Sequence, residues 1–276
     1  MPETDTPLGV DEDAARGNEL DAELALIAEA AREGAAIAMS HWRRDPKVWF
    51  KEGGSPVSEA DIAVDRRLRD MLMAERPDYG WVSEEAEGER LGARTGRGFV
   101  VDPIDGTRAF LAGRRSWGVA VAVIEDGRPI AGALVCPAKE RTYLARSGGG
   151  ARVNGAPIMA RAEVERPVMA GPRSWIDRMP DGYSDGVEIA PYVPSLAYRI
   201  ALVADGGIDG TYIRASAHDW DLAASDVVLS EAGGALLRAD GEAPIYGRDN
   251  ARHGMLVAGS AAQLPHMLAM VRRTED

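Results

Sequence analysis

Two periodicities alternate along this chain. From 20 to 39, apolar residues recur at helical spacing (Leu20, Leu24, Ile27, Ala28, Ala31), which predicts a long amphipathic helix, weakened locally by Gly34. Ser58 with Asp61 three residues on forms a capping pattern. Ile62, Val64, Leu68 and Leu72 continue a second helix, which Pro77 stops. Short β-rich runs then take over. The stretches 48–51, 79–83, 96–101, 116–125, 128–137 and 141–145 read as strands, with a hairpin at Asp126-Gly127 and a turn-rich hairpin over 148–155. Beyond 157, strand patterns (167–170, 210–213, 255–259) alternate with helical ones (195–204, 220–232, 261–273). The chain therefore divides into an acidic tail over 1–18, expected to be disordered, an α+β domain over 19–157 and an α/β domain over 158–276.

Composition narrows the classes. A chain of 276 residues is one large domain or two closely joined ones. Its net charge of −12 argues against nucleic acid polymers and anionic membranes as partners. No apolar run reaches the ~18 residues of a membrane helix, and the first residues lack the apolar segment of a signal peptide. Cys136 is the single cysteine, so no intramolecular disulfide forms, which fits a reducing cytoplasm. Its apolar neighbours mark Cys136 as a buried packing residue rather than a nucleophile.

The segment richest in chemistry is Asp102-Pro103-Ile104-Asp105-Gly106-Thr107. A strand delivers Asp102 to its carboxyl end, and a turn brings Asp105 to the same point, with the Ile104 carbonyl as a third hard oxygen. Such oxygen-only donor sets suit hard divalent cations. The amides of Gly106 and Thr107, where a short helix starts, suit a phosphate. Cation and phosphate side by side suggest phosphoryl transfer. The nucleophile loop of haloacid dehalogenase phosphatases is a poorer match, because its acids stand two apart and these stand three apart. Taken alone, the segment also reads as an ordinary Asp-Gly turn. Two further pieces carry acids: Glu84-Glu85 at a strand end, where only one of the pair can face the cations, and His218-Asp219-Trp220-Asp221 at a helix start. By itself Asp221 reads as a cap and Trp220 as packing, while His218 reads equally as surface or functional.

Together, Glu84-Glu85, the 102–107 loop and Trp220-Asp221-x-Ala-Ala resemble the inositol monophosphatase superfamily. Lys51, the run 55–61 and Glu231-Ala232-Gly233-Gly234 are similar to its secondary signatures. The resemblance implies a layered αβαβα sandwich, α+β in its first half and α/β in its second, with the site between the halves. It implies two or three Mg²⁺: one on Glu84, Asp102 and the Ile104 carbonyl, a second on Asp102, Asp105 and Asp221, and a weaker third near Glu84. Glu84 and Thr107, helped by Asp61, would activate the attacking water. Gly106 and Thr107 would grip the phosphate, with Lys51 and Glu85 as charges behind the ligands. Li⁺ inhibition, a homodimer and a small phosphorylated metabolite as substrate are implied as well.

Two positions depart from the inositol-specific pattern. Arg108 follows Thr107 where a neutral polar residue is usual, and Arg214 stands where an acid usually meets a sugar hydroxyl. Arg108 with Phe110 resembles bacterial histidinol-phosphatases. Tyr212-Ile213-Arg214 resembles 3'(2'),5'-bisphosphate nucleotidases, and an added cation suits a second phosphate, although Arg214 could equally pair within the protein. Adenosine 3',5'-bisphosphate and inositol monophosphate are the leading expected substrates, then histidinol phosphate. A degenerate member that binds phosphometabolites as a regulator is the non-enzyme alternative.

Overall fold

A computed structural model describes residues 9–51, 53–86, 96–162, 164–172, 183–248 and 252–275. Helix α1 (Gly9–His41) precedes a small hairpin of β1 (Val48–Phe50) and β2 (Pro56–Ser58), then α2 (Glu59–Glu75). A seven-stranded sheet follows in simple spatial order: β3 (Gly80–Ser83), β4 (Arg97–Asp105), β5 (Gly118–Glu125), β6 (Arg128–Cys136), β7 (Arg141–Arg146), β8 (Ala151–Val153) and β9 (Ala156–Pro157). β3 and β4 pair in parallel and every later pair is antiparallel. The short helix α3 (Thr107–Leu111) sits between β4 and β5.

The rest of the chain builds a five-stranded sheet, ordered β11-β10-β12-β14-β13. Its strands are β10 (Val168–Ala170), β11 (Glu188–Ile189), β12 (Gly210–Ile213), β13 (Gly234–Arg238) and β14 (Leu256–Ser260). Helices α4 (Tyr183–Gly186), α5 (Leu196–Ala204), α6 (Asp219–Glu231) and α7 (Leu264–Glu275) accompany it.

The layers follow from which faces are apolar. In β4 and β5, alternate residues go to opposite sides. Val101, Val119, Val121 and Val123 meet Ile27, Ala31, Val64 and Leu68 of α1 and α2. Val100, Ala120, Ala122 and Ile124 meet Ala197, Ile200, Leu222 and Val228 of α5 and α6. The other side of α5 and α6 covers Ile213, Leu236 and Ala258 of the second sheet, whose far face carries Leu264, Met267 and Val271 of α7. The result is the αβαβα stack expected. Gly132 on β6 permits the closest approach: a Cβ there would lie 2.4 Å from the Ala224 carbonyl oxygen and 2.5 Å from Val227 Cγ1. Only glycine lets α6 lie so near the sheet.

The tail expected over 1–18 is corrected in part. Gly9 onward is helical and continuous with α1. Arg16 anchors this extension, pairing with Glu19 one turn on at 3.1 Å and with Glu125 at the end of β5. Ala14 and Ala15 beside it are strong helix formers. Residues 1–8 lie outside the described residues. The site expected between the halves is likewise set in a continuous core, because α5 and α6 of the second half pack directly on the first sheet.

Candidate active site

The acids of β4 reach one side by an irregularity in the ladder. Residues three apart on a regular strand face opposite ways. Here Asp102 pairs with Ala120 and Asp105 with Gly118, so Pro103 and Ile104 together oppose Val119 alone. This one-residue bulge, rather than the free turn expected from sequence, swings both carboxylates to the same side. Asp221, in the first turn of α6, completes the set: one oxygen from each of Asp102, Asp105 and Asp221 lies within 4.8 Å of the others.

These groups line a cavity of about 220 Å³ with Ser55, Glu84, Gly106, Thr107 and Arg108. Asp105 is 4% exposed and saturated with donors. The Leu196 amide donates to Oδ1 at 3.1 Å, the Ala197 amide donates to Oδ2 at 2.8 Å, and the Ser195 hydroxyl also donates to Oδ2. The N-terminus of α5 thus holds this carboxylate, and Ser195 caps the same helix by accepting from the Tyr198 amide at 3.1 Å. Sequence reasoning opened a helix at Ser195 but did not connect it with Asp105.

Asp221 spends one oxygen on structure, accepting from the His218 amide at 2.6 Å. His218 stays outside the cavity lining. It stacks on Trp220 with ring centroids 4.5 Å apart and accepts from Arg252 at 3.1 Å. Asp61 is 1% exposed and accepts from Ser58, from its amide at 2.8 Å and its hydroxyl at 2.5 Å. Its other oxygen is 3.3 Å from Thr107 Oγ1, which also lies 3.0 Å from the Ile104 carbonyl.

On the opposite wall, Lys51 Nζ donates to the Glu84 carbonyl at 2.9 Å and to Glu85 at 2.8 Å, and it stands 3.4 Å from Glu84 Oε1. Both acids of the pair therefore meet one ammonium, and only Glu84 also lines the cavity. Glu84 falls outside the tight trio. Arg108 sits on the rim and donates to the Gly54 carbonyl at 3.1 Å. Arg214 does not reach this cavity. It lines an adjoining one that shares Tyr192, Pro194 and Leu196 with the first.

Burial raises Glu84, Asp102, Asp105 and Asp61. Glu84 is pushed up to about 7 by burial, opposed by Lys51 and reinforced by Glu85, Asp221 and Asp61. Asp105 rises to about 6 by burial, opposed by the Ser195 hydrogen bond and reinforced by Asp221. Asp102 goes well above its ordinary value by burial, with Glu84, Asp105 and Asp221 adding to it. Asp61 also rises by burial. Asp102 Oδ1, moreover, is buried with no hydrogen-bond partner. An unpartnered carboxylate oxygen beside two further acids fits a hard cation, which would supply the charge that no protein donor does here.

Fold and site together define an αβαβα sandwich carrying an acidic cluster that could hold a metal ion. Comparison with known proteins narrows this. The model of the inositol monophosphatase family matches residues 19–275. A histidinol-phosphatase of Mycobacterium tuberculosis is 35% identical over 227 residues, 77% of this chain and 85% of that protein. A protein of Streptomyces griseus named glucose-1-phosphate thymidylyltransferase is 32% identical over 249 residues, 85% of this chain and 95% of that one. Among solved structures, the extragenic suppressor protein suhB from Bartonella henselae superposes with a TM-score of 0.81 at 25% identity, covering 91% of this chain and 99% of its own. The chain belongs to the inositol monophosphatase family, whose members are metal-dependent phosphatases. The names of these relatives do not agree on one substrate.

Proposed function

We propose that the chain is a Mg²⁺-dependent phosphomonoesterase that hydrolyses a small phosphorylated metabolite by direct attack of water. The observation that carries this is the trio of Asp102, Asp105 and Asp221 around an unpartnered buried carboxylate oxygen, next to Gly106 and Thr107. Asp102, Asp105, Asp221, Glu84 and the Ile104 carbonyl would hold two or three Mg²⁺. When bound, the ions would offset the carboxylates and the phosphate and favour ionisation of a nearby water.

The chain's own groups do the rest. Gly106 has a backbone φ of +92°, a left-handed conformation suited to glycine, and with Thr107 it would offer amides to the phosphate. Thr107 Oγ1, donating toward Asp61, would accept a hydrogen bond from the attacking water and so orient it. Asp61 cannot turn away, because Ser58 fixes its other oxygen. Glu84, which lines the same cavity, would take the proton that the water gives up. Lys51 orients Glu84 and Glu85.

Adenosine 3',5'-bisphosphate and inositol monophosphate are the leading substrates, with histidinol phosphate as the alternative. The enzyme would be a cytoplasmic homodimer inhibited by Li⁺, as its family likeness implies. Phosphate release from inositol phosphates, histidinol phosphate, fructose 1,6-bisphosphate and adenosine 3',5'-bisphosphate, measured with Mg²⁺ and with a chelator, tests the reading. Mg²⁺-dependent release from at least one is expected. Release from none would leave the phosphometabolite-binding regulator as the better account.

A further inference from the structure

The cavity that adjoins the acidic one has a volume of about 720 Å³ and the opposite character. Its wall includes Arg199, on the second turn of α5. Arg199 is 8% exposed, yet its Nε has no hydrogen-bond partner, and its Nη1 donates only to the Val193 carbonyl at 3.3 Å. Its charge is no structural bridge, because among the described residues no carboxylate stands within ion-pair distance of it. A desolvated guanidinium with an unspent donor is costly to keep, so its place calls for a counter-group. Burial lowers the Arg199 pKa, and the neighbouring Arg214 charge lowers it further against the pull of Asp105. An anion in this cavity would meet the unspent Arg199 donor.

We infer that Arg199, with Arg214 on the rim, selects substrates whose leaving alcohol carries a second anionic group, a phosphate or a carboxylate. This inference rests on the phosphatase reading above. The geometry is continuous. Helix α5 grips Asp105 at its first turn and presents Arg199 one turn later, and Leu196 lines both cavities. A phosphate lying over Gly106 and Thr107 therefore sends its alcohol portion past Tyr192 and Pro194 into the arginine-lined space. Tyr192 is 71% exposed at this junction and offers a flat apolar surface to the middle of the substrate. A neutral polyol leaves the Arg199 donor unspent. An alcohol carrying an ammonium group meets two like charges.

The test compares adenosine 3',5'-bisphosphate, histidinol phosphate and glycerol 2-phosphate as substrates of the wild type, Arg199→Met, Arg199→Lys and Arg214→Gln. The wild type should favour the bisphosphate in kcat/KM. Arg199→Met should raise KM for the bisphosphate by about tenfold to a hundredfold with kcat little changed, the scale of a lost charge-assisted hydrogen bond. The ratio of bisphosphate to glycerol 2-phosphate kcat/KM should collapse accordingly. Arg199→Lys should restore part of it, and Arg214→Gln should show the same split more weakly. A wild type without preference for the bisphosphate, or an Arg199→Met that slows all three substrates alike, overturns the inference. If Arg199→Met does not fold, the exposed Arg214→Gln and the wild-type preference decide. If the wild type releases no phosphate from any substrate with Mg²⁺, the phosphatase reading itself fails. Calorimetric binding of adenosine 5'-monophosphate to wild type and Arg199→Met then decides this one alone, equal affinity overturning it.

Discussion

The two walls of the acidic cavity are built differently. On one side, Asp102 and Asp105 sit on a central strand, almost wholly buried, with Asp105 gripped by Ser195, Leu196 and Ala197. On the other, Lys51, Glu84 and Glu85 hold one another beside a short hairpin whose Trp49 and Phe50 are 50% and 73% exposed. The first wall is positioned by packing and backbone donors, the second by side-chain charges near solvent. The difference teaches that ligand geometry on the strand is set by the core, whereas Glu84 is held by a side-chain ion pair that can readjust. Preorganised donors and acceptors are where catalytic sites gain most, so the packed wall should matter more to rate.

The largest expected effect is at the packed wall. Asp105→Asn should lower kcat by on the order of a thousandfold, ~4 kcal/mol, and should lower the thermal midpoint, because its amide nitrogen would face a donor at the start of α5. A variant keeping a tenth of wild-type kcat would break the contrast.

Next comes stability against pH in a chelator. Burial pushes Glu84 and Asp105 up to about 7 and about 6 in the folded chain, above the ordinary 4.5 and 3.8 of these side chains. Between those limits the folded chain keeps protons that the unfolded chain has lost. Stability should therefore fall as pH rises from about 4 to 7, by on the order of a few kcal/mol. Mg²⁺ should restore it most at the upper end, and Glu84→Gln should flatten the slope. A midpoint that rises with pH in chelator would contradict the site's electrostatics.

Ser195→Ala sharpens the comparison, because it removes both a helix cap and a donor to Asp105. We expect a loss of about 1 kcal/mol in urea unfolding and roughly a tenfold fall in kcat. The smallest effect belongs to the adjustable wall. Lys51 opposes the rise of Glu84, so Lys51→Met should move the acid limb of the pH–rate profile upward, with little change in thermal midpoint. A downward shift would mean that Lys51 acts elsewhere.

Much of this was legible beforehand, for identifiable reasons. Helical and strand periods found most elements, because each buries one stripe or alternate faces in a layer of the stack. The spacing of Asp102 and Asp105 pointed to a hard cation, because that chemistry constrains residue type, whereas Asp221 joined them only through the family resemblance. What the sequence did not show is tertiary. Ser195 read as the start of a helix and not as a donor to a residue 90 positions earlier in the chain. Arg199 is the one charged residue in the apolar run 196–204, and only burial without a partner sets it apart. Arg214, read as a partner for a second phosphate or for a group within the protein, lines the adjoining cavity. The strand at Gly234–Arg238 escaped because its Gly-Gly start reads as a helix stop.

The extra residue in β4 has one more consequence. It sets the backbone oxygen between the two acids. Removing Ile104 would restore a regular ladder, with Asp102 and Asp105 two apart, still opposite Ala120 and Gly118 and still on one face, but without the carbonyl that stands between them. A chain that keeps every acid can therefore lose one oxygen of its ion-holding set through a single-codon deletion, so inspection of aligned acids alone would misjudge such a relative as intact.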